Sequence, residues 1–175
     1  FDPLTKIKCD GAFQFGDRIF GCWYTNGHGE MDLSSAIAFS CDIFFYKTIK
    51  YYDFDILSDF YKKFGFGRLT GIDIQGESRG VVPTIDYMNK RYGRFGWSKG
   101  SLLNYSIGQG ELLVTPIQVF NYTNLLATKG KTYKPHFVKD HSLVPSDTID
   151  IPNETWDKII LDMAKVISDE KGTGK

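Results

Sequence analysis

Residues 32–46 read Asp-Leu-Ser-Ser-Ala-Ile-Ala-Phe-Ser-Cys-Asp-Ile-Phe-Phe-Tyr, and the fold turns on how this stretch is parsed. Leu33, Ala36 and Ile37 share one helical face, and Asp32 or Ser34 can accept from the free N–H groups of the first turn. Ser40-Cys41-Asp42 interrupts that face. Ile43, Phe44 and Phe45 then lead a second helix. Two helices joined by a short polar triplet place a hydroxyl, a thiol and a carboxylate side by side on one corner.

Upstream, residues 1–31 show no sustained period and are punctuated by Gly11, Gly16, Gly21, Gly27 and Gly29; they read as an irregular segment. Downstream, Phe54–Phe64 has an amphipathic stripe of Ile56, Leu57, Phe60, Tyr61 and Phe64, with Asp53 or Asp55 as cap, Lys62 and Lys63 in the last turn and Gly65 as stop. Residues 65–113 read as glycine-rich loops with one short helix after Thr84. Thr115-Pro116-Ile117-Gln118 is a capping box with proline at the first helical position, opening a helix that should end near Gly130. Tyr133–Val138 reads as a strand, which Pro135 would confine to an edge. Asn153 caps a last helix with Trp156, Ile159, Ile160, Met163, Val166 and Ile167 on one side. The expected class is therefore α+β, mainly helical.

Composition narrows the function. Twenty-one basic and 21 acidic residues leave no net charge, which argues against nucleic acid or an anionic membrane as partner. No apolar run of 18 residues is present to span a bilayer. At 42% hydrophobic and 15% aromatic, the chain has ample material for a core. It opens on Phe1 rather than Met, so it reads as a processed or excised chain.

The three cysteines and one histidine form the pattern C-x12-C-x5-H-x12-C over Cys9, Cys22, His28 and Cys41. Three thiolates and an imidazole make a complete tetrahedral set for a structural zinc. The spacing lacks a C-x2-C knuckle, and a Cys9–Cys22 disulfide with Cys41 free is the main rival; three separately packed thiols are the third reading. Gly96-Trp97-Ser98-Lys99-Gly100 matches a G-x-S-x-G elbow, with His136 and His141 downstream as candidate bases, but a polar segment precedes it where the elbow needs a core strand. Ser168-Asp169-Glu170-Lys171 fits S-x-x-K, yet it closes a helix instead of opening one.

Taken in order, several segments resemble the elongation-type class B penicillin-binding proteins, the penicillin-binding protein 2 group. They are Cys22-Trp23, Gly27-His28-Gly29, Ser40-Cys41-Asp42 with Phe44-Phe45-Tyr46, and Phe64-Gly65-Phe66-Gly67 with Thr70-Gly71-Ile72-Asp73. Gly76-Glu77-Ser78-Arg79-Gly80, Pro83-Thr84, Trp97, Gly100, Ser106-Ile107-Gly108-Gln109-Gly110, Thr115-Pro116-Ile117-Gln118 and Lys134-Pro135-His136 continue the series.

The resemblance implies a periplasmic peptidoglycan D,D-transpeptidase on the inner membrane. Its substrates would be stem peptides, its inhibitors β-lactams, and its partners RodA and MreC. By resemblance, Ser40 and Asp42 belong to the family's middle motif, S-x-N or S-x-D. The acylated serine of S-x-x-K and the K-[ST]-G motif have no credible counterpart here; Lys171-Gly172-Thr173 is a permuted look-alike. The resemblance thus implies the helical lobe of the β-lactamase-like fold, incomplete at both ends, and a chain inactive by itself. It also gives the zinc reading a role, since Cys41 lies between Ser40 and Asp42. A non-catalytic zinc-stabilised binding domain of the same fold is the alternative, and a hydrolase using Ser98 a more distant one.

Overall fold

A computed structural model describes residues 1–139 and 144–174; His141 lies outside the described residues. In chain order the elements are β1 (Ile7–Cys9), β2 (Ala12–Phe15), β3 (Arg18–Gly21), β4 (Gly29–Met31), α1 (Leu33–Ala38), α2 (Asp42–Thr48), α3 (Phe54–Lys63), α4 (Ile85–Tyr92), α5 (Gly100–Ser106), α6 (Pro116–Ala127), β5 (Lys131–Tyr133), β6 (Pro145–Thr148) and α7 (Asn153–Ser168), with a 3-10 turn over Ile49–Tyr51. The chain divides into two compact units, one of residues 1–54, 88–110 and 161–175, the other of 55–87 and 111–160. No helix among the described residues is long and apolar enough to cross a membrane.

The first unit corrects the expectation of an irregular residues 1–31. β1 pairs antiparallel with β4, Ile7 opposite Met31 and Cys9 opposite Gly29. β2 pairs antiparallel with β3, Phe13 opposite Phe20. Each strand is only three or four residues long, too short to print a period of two. Ile7, Cys9 and Met31 nevertheless point inward and join Cys22, Ala36, Cys41, Ile43, Phe44, Tyr46 and Leu103 in one buried cluster. α2 is its centre, with Ile43 and Phe44 fully buried. At about 25 cal/mol per Å² of apolar surface, each such side chain contributes roughly 2 kcal/mol. α5 was not expected within the glycine-rich 65–113 segment. Its seven residues hold no full apolar stripe, yet burial of Leu102, Leu103 and Tyr105 makes it a helix.

Asp32 caps α1, its carboxylate accepting from the Ser35 N–H at 2.9 Å. The Lys6 ammonium at 2.8 Å and that same N–H hold the Asp32 carboxyl well below the usual carboxylate range. Ser34, the other candidate cap, has a different task. Its hydroxyl donates to the buried Asp162 carboxylate at 2.6 Å and accepts from the Lys165 ammonium at 2.6 Å. α7 therefore turns a carboxylate inward. Met163 and Ile167, expected on its apolar side, are exposed, whereas Trp156 is buried.

The second unit has its own core of Leu125, Leu126, Ile149 and Trp156, flanked by Phe64, Tyr122 and Ile151. The capping box at Thr115 and Gln118 forms as expected. Gln118 is buried, and its amide also donates to the carbonyls of Arg68 and Arg79 at 2.8 Å each. The helix it opens ends at Ala127, short of Gly130. β5 covers Lys131–Tyr133 and pairs with β6. The strand expected over 133–138 therefore lies earlier, ending before Pro135, which has no N–H to give a ladder.

Candidate functional site

Cys9 ends β1, Cys22 follows β3, His28 precedes β4, and Cys41 is the residue before α2. Strand pairing brings the first three together. Two glycines permit the close approach. Gly11, at φ +81°, lies so near the Thr25 carbonyl that a Cβ would sit 2.0 Å from its oxygen. Gly27, at φ +77°, would place a Cβ 2.5 Å from the Cys9 carbonyl oxygen. At both positions a side chain meets backbone, which cannot yield.

The result is a Cys3His cluster, its cysteines buried and His28 half-buried, whose four ligand atoms lie within 4.8 Å of one another. The His28 Nδ1 is 3.6 Å from both the Cys9 and the Cys22 sulfur. Tetrahedral zinc bonds of 2.3 Å to sulfur and 2.0–2.1 Å to nitrogen would set neighbouring donors about 3.5–3.8 Å apart; the two His28–sulfur separations match this, and the widest pair would close by up to about 1 Å on a zinc ion. All three cysteines are free.

The chemistry of the donors agrees. Burial pushes the Cys41 thiol up, and the neighbouring Cys9 and Cys22 sulfurs push it further, against the Phe44 N–H that favours the thiolate. Negative charge on sulfur here needs a cation to offset it. Burial also holds the His28 pKa below its ordinary value, with Asp42 opposing. The ring packs among Trp23, Tyr24 and Phe39. Its Nε2 is buried with no hydrogen-bond partner among the described residues, which leaves Nδ1, facing the sulfurs, as the ligating end.

The depressed His28 pKa makes a pH prediction. The unfolded chain gains a proton on this ring below about pH 6.5, while the folded chain resists it. The unfolded state then binds more protons, so stability falls as pH drops through that value. Melting curves of the metal-free protein between about pH 7.5 and 5.5 should show this decline in the wild type and a shallower one in His28→Gln; equal slopes would remove the assignment.

Ser40 lies directly beyond this cluster. It is exposed, and its φ of +51° is left-handed. α1 ends in a Schellman turn: Ser40 N–H donates to the Ile37 carbonyl at 3.2 Å and Cys41 N–H to that of Ala36 at 2.9 Å. Ser40 thus occupies the position that glycine usually takes, at a cost for serine of about 1–2 kcal/mol. Strain of this kind persists where the surroundings over-determine it, and it clusters at functional sites. Cys41, the next residue, is anchored by its buried sulfur in the Cys3His cluster. Asp42, in the first turn of α2, accepts the Trp23 N–H at 3.0 Å, and the Trp23 indole donates to the Phe39 carbonyl at 2.9 Å. The Ser40 hydroxyl is 2.8 Å from that of Thr173.

The four candidate metal ligands and the two middle-motif residues, Ser40 and Asp42, therefore meet in one unit. Trp23 and Thr173 had no assigned role from the sequence. Thr173 is 133 residues from Ser40, and nothing local signals the contact. Ser98 lies outside this site. It is exposed, its hydroxyl accepts from Gly100 N–H at 3.2 Å, and helix α4 rather than a strand precedes it. A nucleophile elbow needs that strand. Ser168 is exposed at the end of α7, where an S-x-x-K serine does not belong.

Comparison with known proteins identifies the family. The chain is 35% identical to the peptidoglycan D,D-transpeptidase MrdA of Haemophilus influenzae over all of its own length and 28% of that protein's. It is 32% identical to MrdA of Acinetobacter baumannii, covering 99% of this chain and 27% of that protein. The chain thus spans little more than a quarter of these relatives. Among solved structures, penicillin-binding protein 2 of Helicobacter pylori superposes with a TM-score of 0.91 at 32% identity, over 99% of this chain and 33% of that one. The same protein has been solved in complex with MreC. The model of the penicillin-binding protein transpeptidase domain matches residues 1–175, and the chain belongs to that family.

Proposed function

We propose that the native protein containing this chain is a serine D,D-transpeptidase that cross-links peptidoglycan stem peptides. A serine oxygen attacks the penultimate D-Ala carbonyl. An ester forms, the peptide bond to the terminal D-Ala breaks, and its nitrogen takes up a proton. An amine of a neighbouring stem then displaces the serine. β-Lactams acylate the same serine. By resemblance, that serine belongs to an S-x-x-K motif that the family carries N-terminal to Ser40.

This chain's own contribution is Ser40 and Asp42. The Ser40 hydroxyl relays a proton between the catalytic lysine and the substrate nitrogen, a role suited to an exposed hydroxyl on a rigid corner. Asp42 accepts the Trp23 N–H and so fixes the corner from the α2 side. A zinc ion held by Cys9, Cys22, His28 and Cys41 would supply structural cross-linking, tying the two β-ribbons to the Ser40 turn. The reading also places the protein at the periplasmic face of the inner membrane, with RodA and MreC as partners.

The observation that carries the reading is a serine in a glycine position, backed by a Cys3His cluster, in a chain of this family. Fluorescent penicillin tests it. The native protein should take up one equivalent, and the isolated 175-residue chain none, because it has neither outer motif. A stoichiometric adduct on the isolated chain would overturn the assignment of roles. An unlabelled native protein that still holds zinc would favour a non-catalytic zinc-stabilised domain.

A further inference from the structure

The end of α1 leaves a set of carbonyls that need donors. The Ser35 carbonyl accepts from Phe39 N–H, the Ala36 carbonyl from Cys41 N–H, and the Ile37 carbonyl from Ser40 N–H. The Phe39 carbonyl accepts from the Trp23 indole. The Ala38 carbonyl is met from far along the chain, by the N–H of Thr173 at 3.3 Å. The same residue places its hydroxyl 2.8 Å from that of Ser40. Thr173 thus grips the corner at two points, one through the backbone and one through the side chain.

Further contacts hold Thr173 there. α7 leads into its segment, and α7 is fixed to α1 by the triad of Ser34, Asp162 and Lys165. Asp162 is buried, and the Ser34 hydroxyl lies 2.6 Å from each of its partners. Beyond α7 the chain turns back on itself, with Gly174 N–H donating to the Val166 carbonyl at 2.9 Å. Gly172 allows that return: a Cβ there would sit 2.3 Å from the same carbonyl oxygen.

A serine hydroxyl at an exposed corner is a free rotor. Its proton and lone pairs point wherever a partner is offered. Ser40 N–H is committed to the turn, so the backbone fixes Cβ but neither the rotamer of the oxygen nor the direction of its hydrogen. Among the described residues, the partner of this hydroxyl is Thr173. We propose that Thr173 is a positioning residue of the transpeptidase reaction. Its hydroxyl sets the Ser40 rotor, so that one lone pair or the proton of Ser40 stays aimed at the reacting groups. This rests on the reading of Ser40 as the relay hydroxyl.

The test uses the native full-length protein and β-lactam acylation followed over a range of drug concentrations. Thr173→Val keeps the shape and the N–H bond to Ala38 but deletes the hydroxyl. It should lower the limiting acylation rate about tenfold, the effect of one well-placed hydrogen bond. The half-saturating concentration and the melting temperature should stay near wild type. Thr173→Ser should recover most of the rate, and Ser40→Ala/Thr173→Val should be no slower than Ser40→Ala alone. A wild-type rate in Thr173→Val, or a Thr173→Ser as slow as Thr173→Val, would overturn the proposal. If Ser40→Ala itself acylates at the wild-type rate, the relay reading falls and this role falls with it. A slow Ser40→Ala beside a fast Thr173→Val removes only the role of Thr173.

Discussion

Ser40→Gly in the native protein should slow β-lactam acylation about a hundredfold, the lower range for a lost proton-transfer group, with little change in the stability of the fold. At φ +51° serine is strained, and glycine relieves about 1–2 kcal/mol of that strain. Against this, the exposed hydrogen bond to Thr173 is worth about 0.5 kcal/mol, and glycine's greater freedom when unfolded costs a further 0.5–1 kcal/mol. The balance lies between about −0.5 and +1 kcal/mol, close to neutral. Ser40→Ala keeps the strain and loses the bond, so it should be equally slow and less stable. Thermal melts and acylation rates on the three proteins check this. Wild-type acylation in Ser40→Gly, or a Ser40→Gly less stable than Ser40→Ala, contradicts it.

Cys22→Ala should have the largest effect on stability. Cys22 is 5% exposed and joins the end of β3 to Cys9, His28 and Cys41. Elemental analysis of the wild type, purified without added metal, should find about one zinc per chain; Cys22→Ala should retain little. Loss of a structural metal tie of a few kcal/mol, at 2–4 °C per kcal/mol, lowers the melting temperature by roughly 10 °C. The acylation rate should fall too, although the nucleophile is untouched, because Cys41 no longer anchors the turn that holds Ser40. Unchanged zinc content, melting temperature and acylation would remove the cluster from the account. A loss of stability with unchanged acylation would keep the metal as a staple and detach it from Ser40.

The helices whose ends carry chemistry were legible. Asp32 before α1, Thr115-Pro116 with Gln118 at α6 and Asn153 at the start of α7 each mark a terminus by a local rule. The strands were not, because β1 and β4 are three residues each and their partner is about twenty residues away. α5 was missed for a related reason: burial of Leu102, Leu103 and Tyr105, not local pattern, makes it helical. On α7 the expected face holds in part: Trp156 is buried and Ile159, Ile160 and Val166 are half-buried, but Met163 and Ile167 are exposed and Asp162 turns inward to Ser34 instead. The four metal-ligand candidates were legible from residue type alone, since three cysteines and one histidine fill a tetrahedron. The left-handed serine was invisible. No local rule places serine where glycine is expected, and its partner Thr173 arrives from the far end of the chain.

The most direct test of the central claim, that Ser40 relays protons for another serine's acylation, is to map the β-lactam adduct on the native protein by peptide mass spectrometry. One adduct per molecule is expected, on the serine of an S-x-x-K motif, with every peptide of these 175 residues unmodified. An adduct on Ser40 or Ser98, or no adduct at all, would contradict it.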